Sequence, residues 1–366
     1  MMDTSGLTEL LWKDDWALAR KHHTAWWRQE DLVLWVTAPR AVPAMKLDPP
    51  PPPRDLSERW FSPTWRLRAQ EYQMSRCYYG GDAFPVFSCL SAAGDLGAYM
   101  GCEVELSDQT VWCEPCIADP PEEHPPLRLD RSCWAFSQHL AMAETAVRES
   151  GGRWLVGLPD LVENVDILSA MRGPQTFLFD LMDRPEWVEK KVEEINRAFF
   201  EAFDVFGDLV RDGFGGNSFC FNVWGPGRTA KVQCDACAMF GPEMFRRFVS
   251  PALTEQCEWL DFALFHLDGE DCLVNLDEIL AIEALQAVEW TPRRLSVGDT
   301  GGHPRHWDLY RRILAAGKSV QAIGVRYDEV IPLLDACGGK GMFITTSAAS
   351  EGDARALAER VTAYRT

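Results

Sequence analysis

The sequence predicts an α/β chain folded as one (β/α)8 TIM barrel over residues 1–366, and three observations carry that expectation. Short apolar runs, which read as buried strands, alternate with segments of helical spacing from Leu32 to the C-terminus. About eight such strands can be counted, the number a barrel needs. Polar residues also gather where the apolar runs stop, above all in Asp261–Trp290, DFALFHLDGEDCLVNLDEILAIEALQAVEW. In parallel α/β folds, ligand chemistry collects where strands end and their following loops begin.

The elements follow in order. Leu7, Leu10, Leu11, Trp16, Leu18 and Ala19, then Trp26 and Trp27, give residues 1–30 a helical pattern that reads as an N-terminal extension. Leu32–Val36 is the first strand. Residues 41–80 read as an insertion crossing the surface, because Pro49–Pro53 cannot donate backbone hydrogen bonds and favour an extended spacer. That insertion ends in a Trp-containing helix, Trp60–Gln73. Phe84–Leu90 is the next strand, and partial alternation over Cys102–Trp112 suggests a hairpin. A second insertion, 114–131, contains the Pro-rich, acidic Asp119–Pro126 and leads to a helix over Ser132–Glu149.

From Arg153 the alternation becomes regular. Trp154–Leu158 is a strand ending at Pro159 and Asp160, Val165–Arg172 a short helix, and Pro185 opens a long helix to about Val210, since proline is tolerated in a first turn. Ser218–Val223 leads through Trp224-Gly-Pro-Gly227 to a strand over Lys231–Cys234 that ends at Asp235. A helix runs from Gly241-Pro-Glu to about Trp259. Beyond Trp290 come a helix over Arg305–Ala315, a strand over Ser319–Ile323, a helix over Asp328–Ala336 and a strand over Gly341–Thr345. Ser350 with Asp353 caps the final helix, and no internal repeat is present.

Composition narrows the function. A hydrophobic content of 46% and a charged content of 25% are those of a soluble globular chain. No apolar run reaches the length of a membrane span, and the N-terminus lacks the charged-then-apolar order of a signal peptide, which places the protein in the cytoplasm. A net charge of −19 argues against nucleic acid or an anionic membrane as partner, both of which need clustered Lys and Arg. The twelve Cys read as reduced, mostly buried thiols. Fifteen Trp suit either a large core or a pocket for a flat or sugar-like ligand.

Within Asp261–Trp290 the strand Phe262–Phe265 stops at His266, Asp268, Glu270 and Asp271, and Gly269 lets the backbone turn. A second strand, Leu285–Val288, ends on Glu289. Asp268 beside His266 and across from Glu289 reads as a metal ligand or a general acid/base, or more plainly as a helix cap. His266 reads equally as a buried structural imidazole. Cys272 has no His at a distance that would mark an activated nucleophile.

Four segments stand out: Cys234-Asp-Ala-Cys-Ala-Met-Phe-Gly-Pro-Glu-Met-Phe245 with Phe248-Val-Ser-Pro251, Asp166-Ile-Leu-Ser-Ala-Met-Arg-Gly173, Phe179-Asp-Leu-Met-Asp-Arg-Pro-Glu186 and the His266-Leu-Asp-Gly269 turn. Together they resemble the uroporphyrinogen decarboxylase superfamily. The resemblance spans roughly 152–364 and implies a TIM barrel with its site at the strand carboxyl ends. It further implies either porphyrinogen decarboxylation or transfer of methyl groups between corrinoid proteins and thiols or small methylated substrates. The decarboxylases grip propionates with an Arg-rich motif, whereas the matching region here, Trp26–Arg40, has only Arg28 and Arg40. A −19 chain also repels a polyanionic porphyrinogen. Methyl transfer, or a decarboxylation of another substrate, is therefore the expectation.

The thiol-activating members of that superfamily bind zinc through a His-x-Cys turn and a later Cys. Here the turn reads His266-x-Asp268, and the last strand, Phe343-Ile-Thr-Thr-Ser347, has no Cys. His266 and Asp268 remain acceptable zinc ligands, with Glu289 or Asp235 as a third and one position left open. The expected catalytic set is then His266, Asp268, Glu289 and Asp235. Trp224, Trp290, Asp160 and Arg40 are expected to contact substrate, and a corrinoid protein is an expected partner.

Other motifs are weaker. Cys113-Glu-Pro-Cys116 and Cys234-Asp-Ala-Cys237 lack zinc-ribbon spacing and read as coincidence in a Cys-rich chain. His303-Pro-Arg-His306 reads as a helix entry. No phosphate fingerprint precedes a helix, so no nucleotide cofactor is expected. A glycoside-acting or sugar-binding barrel, with Asp268 paired to Glu289 or Asp235, is the alternative, and a barrel that only binds is a third.

Overall fold

The structure, a computed structural model, describes residues 9–89, 94–293 and 299–365. Leu7 of the N-terminal pattern and Leu90 of the second expected strand lie outside the described residues. The architecture is mixed α/β, with helices around a central sheet. That sheet has seven strands, in the order Cys77–Gly81, Val33–Pro39, Met342–Ser347, Ser319–Ala322, Ala287–Thr291, Phe262–Asp268 and Thr229–Gln233. All neighbours are parallel except the first pair, where the edge strand runs antiparallel to Val33–Pro39. Val33, Leu34, Trp35 and Val36 are all buried, as expected for a strand covered on both faces.

Among the described residues the ladder does not close into the expected eight-stranded barrel. Among the described residues the remaining strands make separate pairs: Val86–Phe87 with Leu155–Val156, and Gly216–Phe219 antiparallel to Val223–Pro226. A single bridge joins Gly157 to Ser218. The expected strands at Phe84, Trp154 and Ser218 shorten for a local reason. Pro85 and Pro159 lack the N–H a ladder requires, and Phe221 and Asn222 turn the chain through left-handed conformations at φ 64° and 61°.

The segment expected to cross the surface at 41–80 instead ends in the edge strand Cys77–Gly81. Gly81 belongs there because φ is 56° and a Cβ would lie 2.4 Å from the Leu34 carbonyl oxygen. The hairpin arrives close to its expected place, Val104–Leu106 with Val111–Cys113. Pro185–Val210 is one helix of 26 residues, and a helix not foreseen, Pro174–Asp183, precedes it. Ser350 does cap the last helix, its hydroxyl oxygen accepting from the Asp353 N–H at 3.2 Å.

The N-terminal extension is part of the core. In the helix Trp16–Trp26 both terminal tryptophans are fully buried. Trp26 donates its indole N–H to the Gly341 carbonyl at 3.0 Å, and Trp27 to the Trp224 carbonyl at 3.0 Å. The helix therefore docks on the chain entering the Met342–Ser347 strand. Burying about 200 Å² of each ring at about 25 cal/mol/Å² contributes about 5 kcal/mol per tryptophan. Among the described residues no helix is long and apolar enough to cross a membrane. All twelve cysteines are free thiols.

Candidate functional site

Register assembles the site. Across the parallel ladder His266 stands opposite Gln233 on one side and Glu289 on the other, and Glu289 stands opposite Gln321. Side chains opposite one another in a ladder project to the same face, so these four form one row. Asp268 lies two residues beyond His266 on the same face, whereas Leu267 between them is fully buried on the other. Asp235 follows the Thr229–Gln233 strand by two residues.

The row holds an ordered chain of bonds. His266 Nδ1 meets Glu289 Oε2 in a short contact, and the Thr291 hydroxyl donates to Glu289 Oε1 at 2.8 Å. Glu289 is fully buried. Burial on its own would lower the His266 pKa, but the charge and hydrogen bond of Glu289, with Asp235 behind them, raise it. With Nδ1 engaged, Nε2 is the ring nitrogen left for a ligand. Phe221 lies against the imidazole at a centroid distance of 4.8 Å, and Gln321 holds the Phe221 carbonyl at 2.7 Å.

Asp235 is positioned from behind. Its N–H and that of Ala236 donate to the two Asp166 oxygens at 2.8 Å each, and Gln233 Nε2 bridges Asp166 and Asp235 at 2.9 and 3.0 Å. Asp166 sits in the first turn of the helix Asn164–Arg172. The Asp235 carboxyl is pushed up to about 7, by burial first and by Asp166 second. Its Oδ1 is buried and, among the described residues, has no hydrogen-bond partner.

Ligand atoms of Asp235, His266 and Asp268 all lie within 4.8 Å of one another. Among the described residues no other set of three His, Cys, Asp or Glu side chains converges this way. Asp235 and Asp268 open onto a cleft of about 530 Å³, also lined by Ala238, Gly269, Thr291, Pro292 and Arg293. Arg293 is exposed and paired with Asp271.

Of the expected site residues, His266, Asp268, Asp235 and Glu289 come together. Glu289 stands behind His266 as its hydrogen-bond partner, not as a third ligand, because its two oxygens are already taken. The expected substrate contacts do not line the cleft. Trp224 and Trp290 are core residues whose indole N–H groups are satisfied by Asp212 at 2.7 Å and His306 at 3.2 Å. Asp160 pairs with Lys231 at 2.5 Å, and Arg40 lies beyond the Val33–Pro39 strand with its N–H on the Arg76 carbonyl at 2.8 Å. For the sugar-binding alternative, Asp235 and Asp268 both line the cleft, whereas Glu289 is buried and bonded to His266.

Sequence reading missed Asp166, Gln233, Phe221 and Thr291. Asp166 lies in one of the segments quoted above, and Thr291 follows Glu289 at the spacing of two that marks one strand face; either could have been found. Gln233 and Phe221 carry no such signal.

No family model matches the chain, and no curated protein matches it in sequence. Among solved structures it is similar to a methyltransferase from Methanosarcina mazei, with a TM-score of 0.60 and 10% identity. The match covers 94% of this chain and 99% of that one. At that identity the likeness is one of fold.

Proposed function

We propose that this chain is a methyltransferase that moves a methyl group between a small methylated substrate and a corrinoid protein or thiol, using a zinc ion held by Asp235, His266 and Asp268. The observation that carries this is the convergence of those three side chains at the strand ends of a fold shared with a methyltransferase. The donor set suits the ion: one imidazole and two carboxylates leave a tetrahedral site one open position. The buried Asp235 Oδ1, without a partner among the described residues, supports the same reading, since an oxygen kept from water and from hydrogen bonds is costly unless a ligand meets it. When bound, zinc would supply a Lewis acid that activates a thiol or a leaving group.

The chain's own residues do the rest. Glu289 and Thr291 fix the tautomer and the orientation of His266, the support that metal-binding imidazoles ordinarily have. Asp166 and Gln233 hold Asp235 in place. Phe221 lies against one face of the imidazole.

Zinc content per chain tests this, on protein purified without chelator or added metal, together with methyl transfer from methylcobalamin to a small thiol. The expected result is about one equivalent of zinc and measurable transfer, with both lost in Asp268→Ala of unchanged fold. A folded wild-type protein without zinc, or transfer at wild-type rate in Asp268→Ala, ends the proposal.

A further inference from the structure

The two Cys-x-x-Cys pairs, unremarkable in the sequence, each gain a third thiol in the fold. Cys272 joins Cys234 and Cys237, and Cys102 joins Cys113 and Cys116. The first trio is closed: all three residues are buried, and burial foremost holds Cys234 up at about 12. The second is open on one side, with Cys102 buried and Cys113 and Cys116 half-buried.

The hairpin brings the second trio together. Val104 pairs with Cys113, and the Glu114 N–H donates to the Glu103 carbonyl at 2.9 Å, extending the ladder by one step. Cys102 then arrives opposite the Pro115–Cys116 end of the other strand. Its Sγ lies 3.3 Å from the Cys116 Sγ, while the Cys113 Sγ lies on the Gly97 side and bonds to the Gly94 carbonyl at 3.3 Å. Gly97 leaves room behind them, since a Cβ there would sit 3.2 Å from the Cys113 Sγ and 3.8 Å from the Cys102 Sγ. The three sulfurs do not converge on a common point as Asp235, His266 and Asp268 do, so the arrangement suits bond formation between two sulfurs better than ligation.

We propose that Cys102 and Cys116 form a hydroperoxide-responsive disulfide centre, with Cys116 as the attacking thiol and Cys102 as the resolving one. The half-buried Cys116 meets the oxidant first. Its sulfur attacks the terminal peroxide oxygen; an S–O bond forms, the O–O bond breaks, and water or an alcohol leaves, giving a sulfenic acid. The Cys102 sulfur then attacks that sulfur, the S–S bond forms, and water departs with the Cys102 proton. Two thiols are oxidised by two electrons in all, and one hydroperoxide is reduced. The hydrogen bond shared with Cys102 lowers the Cys116 thiol, the direction that favours the nucleophilic thiolate. Cys113, on the other side of Cys102, can accept the bond by exchange.

The site is mechanically connected. The N–H groups of Cys116 and Ile117 both donate to the Met171 carbonyl, at 2.8 and 2.9 Å. Met171 lies in the last turn of the same helix that carries Asp166 in its first. A bond between Cys102 and Cys116 therefore ties the hairpin to the far end of an element that positions Asp235.

Peptide mapping of wild-type protein tests the centre, after one equivalent of hydrogen peroxide, blocking of free thiols, and cleavage with a glutamyl endoprotease. Cuts after Glu103 and Glu105 separate Cys102 from Cys116, so a bridge between them joins two peptides. The expected product is that bridged pair, released by dithiothreitol, with Cys234, Cys237 and Cys272 remaining free. Cys113→Ser should retain the bridge, and Cys102→Ser should leave a sulfenic acid on Cys116 that dimedone traps. A wild-type map without the bridge, or oxidation falling first on the Cys234 trio, overturns the proposal.

Discussion

On the proposed function, replacing His266 with Ala is expected to abolish zinc binding and to lower methyl transfer by about 100-fold or more, since losing even a ligand's supporting partner costs about 10- to 100-fold. It should also destabilise the fold. Glu289 is fully buried, and without the imidazole the Thr291 hydroxyl is, among the described residues, the one side chain still bonded to it. Removing one partner of a buried ionic pair costs about 3–5 kcal/mol, reduced to the extent that the orphaned carboxylate takes up a proton. Glu289→Gln separates the two effects. The amide keeps the shape and can still hydrogen-bond to Nδ1 but removes the negative charge, so metal affinity should fall by about 10- to 100-fold with little loss of stability. Zinc titration and urea denaturation of both variants give the answer. Undiminished affinity in Glu289→Gln would show that the carboxylate does not tune the imidazole.

The second large effect lies far from the cleft, at Asp82. Its Oδ1 accepts from His22 at 2.5 Å, while its Oδ2 accepts from the Leu34 N–H at 2.8 Å and from Arg365 at 2.6 Å. One buried carboxylate thus joins the N-terminal helix, the first strand of the sheet and the C-terminus. Burial would raise its pKa, but the bonds and charges of His22 and Arg365, with the Leu34 N–H, outweigh it and hold the carboxyl at about 2 against an ordinary 3.8. Because the folded value lies below the unfolded one, the stabilisation is complete above about pH 4 and is lost as pH falls through 2. Its size is about 2 kcal/mol. Asp82→Asn should therefore lower stability by at least about that much at neutral pH. The gap to wild type should narrow below pH 4. Denaturation curves at pH 7 and pH 2.5 decide it, and a gap independent of pH would mean that the charge is not what matters.

Much of the site was legible because it depends on strand periodicity and strand ends. His266 and Asp268 are two residues apart at the end of an apolar run, and Asp235 follows another such run, so their proximity needs only a parallel sheet. The role of Glu289 depends on register, which places it opposite His266, and one sequence does not encode register visibly. Trp224 and Trp290 illustrate the opposite limit: an indole is equally at home in a core or a pocket, and only tertiary packing separates the two. The mixed α/β architecture with a central, mostly parallel sheet matches the expectation, while a closed ladder is not shown among the described residues, for a local reason. Proline and a left-handed turn shorten three of the expected strands, although their apolar content survives in the core. The thiol at Cys102 was invisible as a partner to Cys113 and Cys116 because a hairpin, not a spacing motif, brings it to them.

The adjacent left-handed residues Phe221 and Asn222 bear on how this protein would respond to laboratory evolution. A bulky residue at positive φ is held about 1 kcal/mol or more above its relaxed state, and glycine would release it. Asn222 is exposed, and asparagine already tolerates this conformation, so Asn222→Gly should change the melting temperature by no more than a degree or two and leave turnover alone. Phe221→Gly instead uncovers the imidazole of His266. Phe221 is also packed against the core, so the strain that glycine would release, about 1 kcal/mol, is outweighed by the packing it would remove, about 3 kcal/mol or more, and a screen for heat tolerance or for turnover should keep the aromatic.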